Sequence, residues 1–436
     1  MNLTSHQTKF ISGEVICPGD KSISQRAVII GSLVNQDMTI EGFLNGEDPI
    51  STINALNAIG SSIEINNTSV TIKQRETAFI SPKEDVDLGN SGTGMRLMMG
   101  LISSLGINVR LVGDKSLSKR PMLRVSEPLN LMGANILCRD GIPPVQITKG
   151  NIKNNFSYDM PIASAQVKSS IIIAALAANE SVTVKEKYQT RNHTEKMIDY
   201  FGGSIKSEII DQENVIYLSP SKLDITKSYK VVGDFSSAAF LIVAGLIAKE
   251  SNIIIKNVGI NPTRSGLIDI LKSMGGEISI RNQEIICNEE VADIHVQSSA
   301  LKGINIKGSI IPNIIDEIPV VSIAAAFADG QTTISEASEL RVKESDRLSA
   351  ISYGLNSIGK SHELFEDGIK INGSKDDISG IPEIDSFGDH RIAMSFLVAS
   401  LRSSEGIHVK DCANIFTSYP SFIDVMQSLG VTINET

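Results

Sequence analysis

The stretch "GDFSSAAFLIVAGLIA", residues 233–248, opens on a glycine and a few cap-forming residues and then runs on with almost no polar face. A helix that is apolar all round is buried on every side. Its apolar core, "AAFLIVAGLIA" from Ala238, is too short to span a bilayer, so it reads as the centre of a globular unit. The pattern recurs in "GDKSISQRAVIIGSLV" (19–34), "GNSGTGMRLMMGLISSLG" (89–106), "ASAQVKSSIIIAALAA" (163–178), "IDEIPVVSIAAAFADG" (315–330) and "GDHRIAMSFLVASL" (388–401). Short strand-like stretches such as "MTIEGF", "VTVKEK", "NIIIKNVG" and "TTISEA" follow most of them. A second, amphipathic helix then runs into "LNAIGSSIEI", "LMGANI", "YFGGSIKS", "LKSMGGEISI" or "MQSLGVTI", where the glycine is a helix-stop signal. The repeat length of about 70 to 80 residues exceeds a solenoid repeat and suits a βαβαββ element.

Six such units divide into three and three. The expected fold class is α/β, with two similar domains of three βαβαββ units each and buried parallel helices. One domain is expected over 20–232, the other over 1–19 plus 233–436, with the strand in "TKFISGEVICPG" ahead of the first unit pairing with the second domain.

The chain has 436 residues, 41% apolar and 21% charged, which suits a soluble protein with large cores. Its formal net charge of -10, with no Lys/Arg run interleaved with aromatics, argues against a nucleic-acid partner; an anionic ligand would have to meet a local positive pocket. Cys17, Cys138, Cys287 and Cys412 are scattered, without C-x-x-C pairing, which indicates neither zinc nor disulfides and suits a reducing cytoplasm. The start, "MNLTSHQTKF", lacks the features of a targeting segment, so a cytoplasmic protein away from membranes is expected.

Around Lys21 the sequence superficially resembles a nucleotide-binding loop. The positions that should be glycine in G-x-x-x-x-G-K-[ST] are Val15 and Asp20, so that reading fails. Ser22 and Gln25 instead fit a capping box. Cations near helix starts are unfavourable unless an anion docks there. Lys21, Arg26, Arg96, Lys168, His390 and Arg391 all lie at such places. Any one alone reads best as a solvated charge; several at equivalent places of a repeat point to anion binding. In "SELRVKESDRLSA" Lys343 and Arg347 read as a like-charge pair on one helix face, beside Glu344 and Asp346, with a Glu344–Arg347 pair as the plainer alternative. Arg120 precedes Pro121, which favours an extended backbone and an outward guanidinium. The glycine-rich turn around Gly92 allows close approach of a ligand to the backbone. Asp316 suits either a helix N-cap or a proton acceptor. No Ser/His/Asp, Cys/His, H-E-x-x-H or EF-hand pattern is present, so covalent, metal and cofactor mechanisms are not expected.

"PGDKSISQR", "GNSGTGMR", "KRPM", "SAQVKS", "RVKESDRL" and "GDHRIAM", in this order over nearly the whole chain, resemble the motifs of the 5-enolpyruvylshikimate-3-phosphate synthase family, the 3-phosphoshikimate 1-carboxyvinyltransferases. The resemblance implies an enolpyruvyl-transferase-like inside-out α/β barrel in each domain, with helix starts facing a cleft between them. It implies transfer of the enolpyruvyl group of phosphoenolpyruvate to the 5-hydroxyl of shikimate 3-phosphate by addition and elimination. By motif position, Lys21, Ser22, Arg26, Ser164, Ala165, Gln166, Arg191, Asp316 and Lys343 would hold shikimate 3-phosphate. Lys21, Gly92, Arg120, Gln166, Arg347 and Arg391 would hold phosphoenolpyruvate. Asp316 would accept the hydroxyl proton, and Glu344 or Lys21 would protonate the methylene carbon. Small anionic substrates, no cofactor, no metal and a monomeric state complete the expectation.

Two positions depart from the family pattern: Thr417 stands where many members have lysine, and Glu339 where asparagine is common. With "RNHTEK" these point to a branch that binds the herbicide glyphosate poorly, whereas Gly92 points the other way. The rival readings are the sibling transferase acting on a UDP-sugar, which usually carries a loop cysteine absent from "KSLSKRPM", and a silent anion-binding protein, which would need the cations but not Asp316 and Glu344.

Overall fold

The computed structural model of the chain describes residues 1–34, 36–224 and 228–436. The chain forms two compact units, one of Gly19–Val232 with Ile285–Glu289, the other of Met1–Pro18, Gly233–Glu284 and Glu290–Thr436. Among the described residues the strands form six four-stranded sheets, three in each unit.

One sheet of the 19–232 unit shows the rule. Phe156–Met160 pairs in parallel with Val182–Glu186, and Ala165–Ala178 is the crossover helix that a parallel pair requires. Val182–Glu186 then pairs antiparallel with Glu213–Leu218, which pairs with Ile205–Ile210. The second helix of the repeat, His193–Tyr200, lies between those pairings in the chain. In the other unit Asn305–Ile306, Gly330–Ile334, Ile369–Gly373 and His362–Leu364 repeat the same order, with Ile318–Ala326 as crossover.

The first helices are enclosed, as their composition requires: all thirteen residues of Phe235–Ile247 and all nine of Ile318–Ala326 are buried. Each large aliphatic side chain so enclosed contributes about 2 kcal/mol. Close packing of these helices needs small residues. A Cβ on Gly100, in Gly92–Ser103, would stand 2.3 Å from the carbonyl oxygen of Ser170 in Ala165–Ala178. The second helices end at Gly60, Gly133, Gly202, Gly275, Gly359 and Gly430, every one with φ between 71° and 107°. That backbone is costly for any residue with a Cβ, which is why glycine stands there six times.

The two chain crossings exchange strands. Phe10–Ile16 pairs in parallel with Glu250–Lys256, taking the strand place ahead of Phe235–Ile247. Tyr229–Lys230 pairs in parallel with Ile40–Glu41 and takes the equivalent place ahead of Lys21–Val34. Leu3–Ser5 inserts between Ile407–Lys410 and Ile433–Glu435. The expected early strand is therefore present and pairs with the later half of the chain. Among the described residues no single helix is long and apolar enough to cross a membrane.

Candidate active site

In the 19–232 unit three helix starts come together at Lys21, Gly92 and Ala165. The Gln25 amide donates to Ser91 Oγ at 2.6 Å, to Thr52 Oγ1 at 3.0 Å and to the Asp48 carbonyl at 3.3 Å, tying the first helix to the second. Arg96 donates to Gln166 Oε1, and the Gln166 amide donates to Thr93 Oγ1 at 2.8 Å, tying the second to the third. Three aligned macrodipoles then place partial positive charge at one locality, the physical basis for anion binding.

The capping box expected of Ser22 and Gln25 does not form. Asp20 is the cap, accepting from Ile23 N at 2.9 Å, because the helix begins at Lys21 and Gln25 is engaged with Ser91. Lys21 lies 2.9 Å from Asp48 and keeps part of its side chain accessible. Arg26 is buried; it donates from Nε to Thr194 Oγ1 at 2.8 Å, from Nη2 to Ser169 Oγ at 2.9 Å and from Nη1 to the Ser22 carbonyl at 3.0 Å. Ser164 caps Ala165–Ala178 through Val167 N, leaving Ala165 and Gln166 half-buried in the first turn. Arg191 is half-buried in the segment before His193–Tyr200.

Arg120 has the extended backbone expected before Pro121, with φ −81° and ψ 138°. Its side chain does not project outward, however. It is buried and donates to Asn90 Oδ1 at 2.5 Å, lying so close to Gly92 that a Cβ there would stand 2.9 Å from Nη1. Lys168 also departs from expectation. It is fully buried against Glu186 and Glu195, because it lies a full turn inside its helix and faces the sheet rather than the helix start.

In the other unit the charges gather around Arg347, which is 1% exposed. Its Nε donates to Asp389 Oδ2 at 2.8 Å, Nη1 to Asp316 Oδ1 at 3.2 Å and Nη2 to Glu344 Oε2 at 2.5 Å. Burial alone would lower its pKa, but Asp389, Glu344 and Asp316 outweigh that and raise it above its ordinary value, so this guanidinium stays charged. Lys343 Nζ lies 3.5 Å from Asp316. Lys343 and Arg347 do not share a helix face as expected. The helix is Arg347–Ser357, capped by Asp346 through Ser349 N, and Lys343 is extended ahead of it. Both cations meet on Asp316 instead, and the Glu344–Arg347 pair forms as well. Asp316 is not a helix cap: Ile318–Ala326 follows Glu317 and has no side-chain cap. Asp316, Lys343 and Glu344 retain 16%, 27% and 20% side-chain exposure, so the groups able to move protons are those that remain accessible.

Arg391, in the first turn of His390–Ala399, donates to the Asp316 carbonyl at 2.8 Å and lies 3.6 Å from Glu317. Sequence reasoning passed over Asp48, Glu317 and Asp389, and gave Gln25 only a capping role. Asp389 caps His390–Ala399 through Arg391 N at 2.9 Å and receives Ser345 Oγ at 3.1 Å as well as Arg347. Its one visible signal was its place in "GDHR", before a buried helix. Thr417, the position of the family lysine, is buried and donates to the Asn414 carbonyl at 2.7 Å.

A sequence profile described as EPSP synthase (3-phosphoshikimate 1-carboxyvinyltransferase) matches residues 5–426. A 3-phosphoshikimate 1-carboxyvinyltransferase of Legionella pneumophila (strain Corby) is 44% identical, covering 100% of this chain and 99% of that protein. One from Thermoanaerobacter sp. (strain X514) is 43% identical over 98% of this chain and 100% of its own length. Among solved structures, the EPSP synthase from Acinetobacter baumannii superposes with a TM-score of 0.85 at 39% identity over the whole of both chains. The enolpyruvyl transferase NikO from Streptomyces tendae, at 17% identity and a TM-score of 0.76, shares the fold.

Proposed function

This chain belongs to the EPSP synthase family, and on that premise we propose which of its residues carry the family's reaction. The enzyme transfers the enolpyruvyl group of phosphoenolpyruvate to the 5-hydroxyl of shikimate 3-phosphate, releasing phosphate, in the shikimate pathway to chorismate and the aromatic amino acids. Both substrates are multiply anionic, which suits the converging helix starts and their cations.

In this reading Lys21, Ser22, Arg26, Ser164, Ala165, Gln166 and Arg191 bind shikimate 3-phosphate, with Asp316 and Lys343 at its reacting hydroxyl. Lys21, Gly92, Arg120, Gln166, Arg347 and Arg391 bind phosphoenolpyruvate. Asp316 takes the proton of the 5-hydroxyl as its oxygen bonds to C2 of phosphoenolpyruvate. Glu344 gives a proton to the methylene carbon, which becomes a methyl group in a tetrahedral adduct. The adduct then loses a methyl proton back to Glu344 as the C2–O bond to phosphate breaks, restoring the double bond. Lys21, beside the donor, stabilises the charge on the departing phosphate. Catalysis is then chiefly positioning and preorganised electrostatics.

The observation that carries the assignment is that Asp316 and Glu344 share one buried guanidinium, at 3.2 and 2.5 Å, while both keep an accessible face. An anion-binding protein without chemistry has no need of paired carboxylates beside its cations. The reading takes the enzyme to be a cytoplasmic monomer that needs neither metal nor nucleic acid. Asp316→Asn and Glu344→Gln test it: phosphate release should fall by about 100-fold or more, while calorimetry finds shikimate 3-phosphate still bound. Normal turnover in either variant would remove that residue from the acid–base role.

A further inference from the structure

Lys168 belongs to a motif of the family resemblance, yet it is 0% exposed and no substrate can touch it. Its ammonium lies 2.9 Å from Glu186 Oε1 and 2.8 Å from Glu195 Oε1 and donates to the Thr190 carbonyl at 3.2 Å. Glu186 is engaged on both oxygens. Oε1 also accepts from Thr190 N at 3.1 Å and Asn214 Nδ2 at 2.8 Å, and Oε2 accepts from Thr190 Oγ1 at 2.6 Å. Thr190 is thus held through its amide, its carbonyl and its hydroxyl. It is buried, although Lys187, Tyr188 and Gln189 just before it are exposed.

The next residue is Arg191. On its far side, the helix start is fastened too. Thr194 accepts from Arg26 Nε at 2.8 Å and donates to Ser169 Oγ at 2.8 Å, and His193 Nδ1 lies 2.8 Å from Glu289. A buried ion cluster returns little net stability, because desolvation offsets most of the attraction; what it can impose is one geometry. One lysine between two carboxylates also leaves the interior one charge negative. Arg26 donates to Ser169 and Thr194, the chain neighbours of Lys168 and Glu195.

We propose that the buried Lys168–Glu186–Glu195 cluster, acting through Thr190, is a positioning device that presents Arg191 to the phosphate of the acceptor. It rests on the reading of Arg191 as a ligand of that phosphate. The cluster touches no substrate. It fixes the backbone on the N-terminal side of Arg191 so that the guanidinium needs no ordering when the phosphate arrives, which lowers the entropic cost of binding the acceptor and leaves the donor unaffected.

The test uses the full-length enzyme and three variants. Arg191→Ala sets the reference and should raise KM for shikimate 3-phosphate about tenfold or more, the order of a charge-assisted contact. Thr190→Val keeps shape and backbone but removes the hydroxyl bond to Glu186, and should raise the same KM about fivefold, the order of one buried hydrogen bond. In Thr190→Val, KM for phosphoenolpyruvate and kcat should stay within about twofold. In the double variant Thr190→Val should add almost nothing to Arg191→Ala, because its effect runs through that side chain. Lys168→Met should behave like Thr190→Val where it folds, and Thr190→Val decides the matter where it does not. A raised KM in Arg191→Ala with none in Thr190→Val overturns the positioning role alone. So does an additive loss in the double variant, or an equal rise in both KM values. An unchanged KM in Arg191→Ala overturns the reading of Arg191 and the proposal with it.

Discussion

Arg347 is surrounded by Asp316, Glu344 and Asp389, and Asp389 is the one of the three that is wholly buried. Burial alone would push the Asp389 carboxyl up, but the Arg347 guanidinium holds it below its ordinary value. A carboxyl depressed in the native state binds protons more readily in the unfolded chain. Its contribution to stability is therefore complete above about pH 4 and is lost as pH falls through the native value. Asp389→Asn should cost about 3 kcal/mol at pH 7, since it leaves a buried cation short of a partner, and much less near pH 2. Urea titrations at the two pH values check this, and an equal deficit at both would contradict it. A second expectation concerns the thiols. Cys412 is buried, and burial pushes its thiol up to about 12. Iodoacetamide at pH 8 should therefore modify the partly exposed Cys287 and spare Cys412, read by mass spectrometry of peptides.

At the scale of elements, a helix start that binds anions must be packed against its neighbours, and small residues make that possible. Gly100→Val would drive a side chain into the Ser170 carbonyl and should cost about 1–3 kcal/mol, seen as a lower urea midpoint; an unchanged midpoint would mean the two helices can separate freely. These elements were the most legible part of the sequence, because an all-apolar helix and a glycine at its partner's end are local signals repeated six times. Arg347 and Glu344, three residues apart, were legible for the same reason. The burial of Lys168 was not, because its partners Glu186 and Glu195 lie 18 and 27 residues further along and reach it only through the sheet and the second helix. Nor was the extended backbone at Lys343, where Asp346 begins a new helix inside an apparently continuous pattern. The inward turn of Arg120 has no local signal either, since its acceptor Asn90 is 30 residues away.

Over the whole molecule, the start of the chain supplies strands to the later unit, so residues 233–436 are not a self-sufficient folding unit. The unit built mainly from 233–436 takes Leu3–Ser5 and Phe10–Ile16 from the start of the chain, and Phe10–Ile16 is an outer strand of its sheet. A fragment of residues 233–436 should accordingly fail to fold cooperatively, and a peptide of residues 1–18 should restore a cooperative urea transition. A fragment that unfolds sharply without the peptide would show that those strands are dispensable. The cations at the helix starts of 19–232 and the carboxylates around Arg347 belong to different units, and the assignment proposed above takes residues from each. Phosphate release from phosphoenolpyruvate, measured with shikimate 3-phosphate and with a UDP-amino sugar in turn, tests that account most directly. It predicts sustained release with shikimate 3-phosphate alone, abolished by either Lys21→Ala or Glu344→Gln; release with the UDP-sugar instead, or undiminished release in either variant, would contradict it.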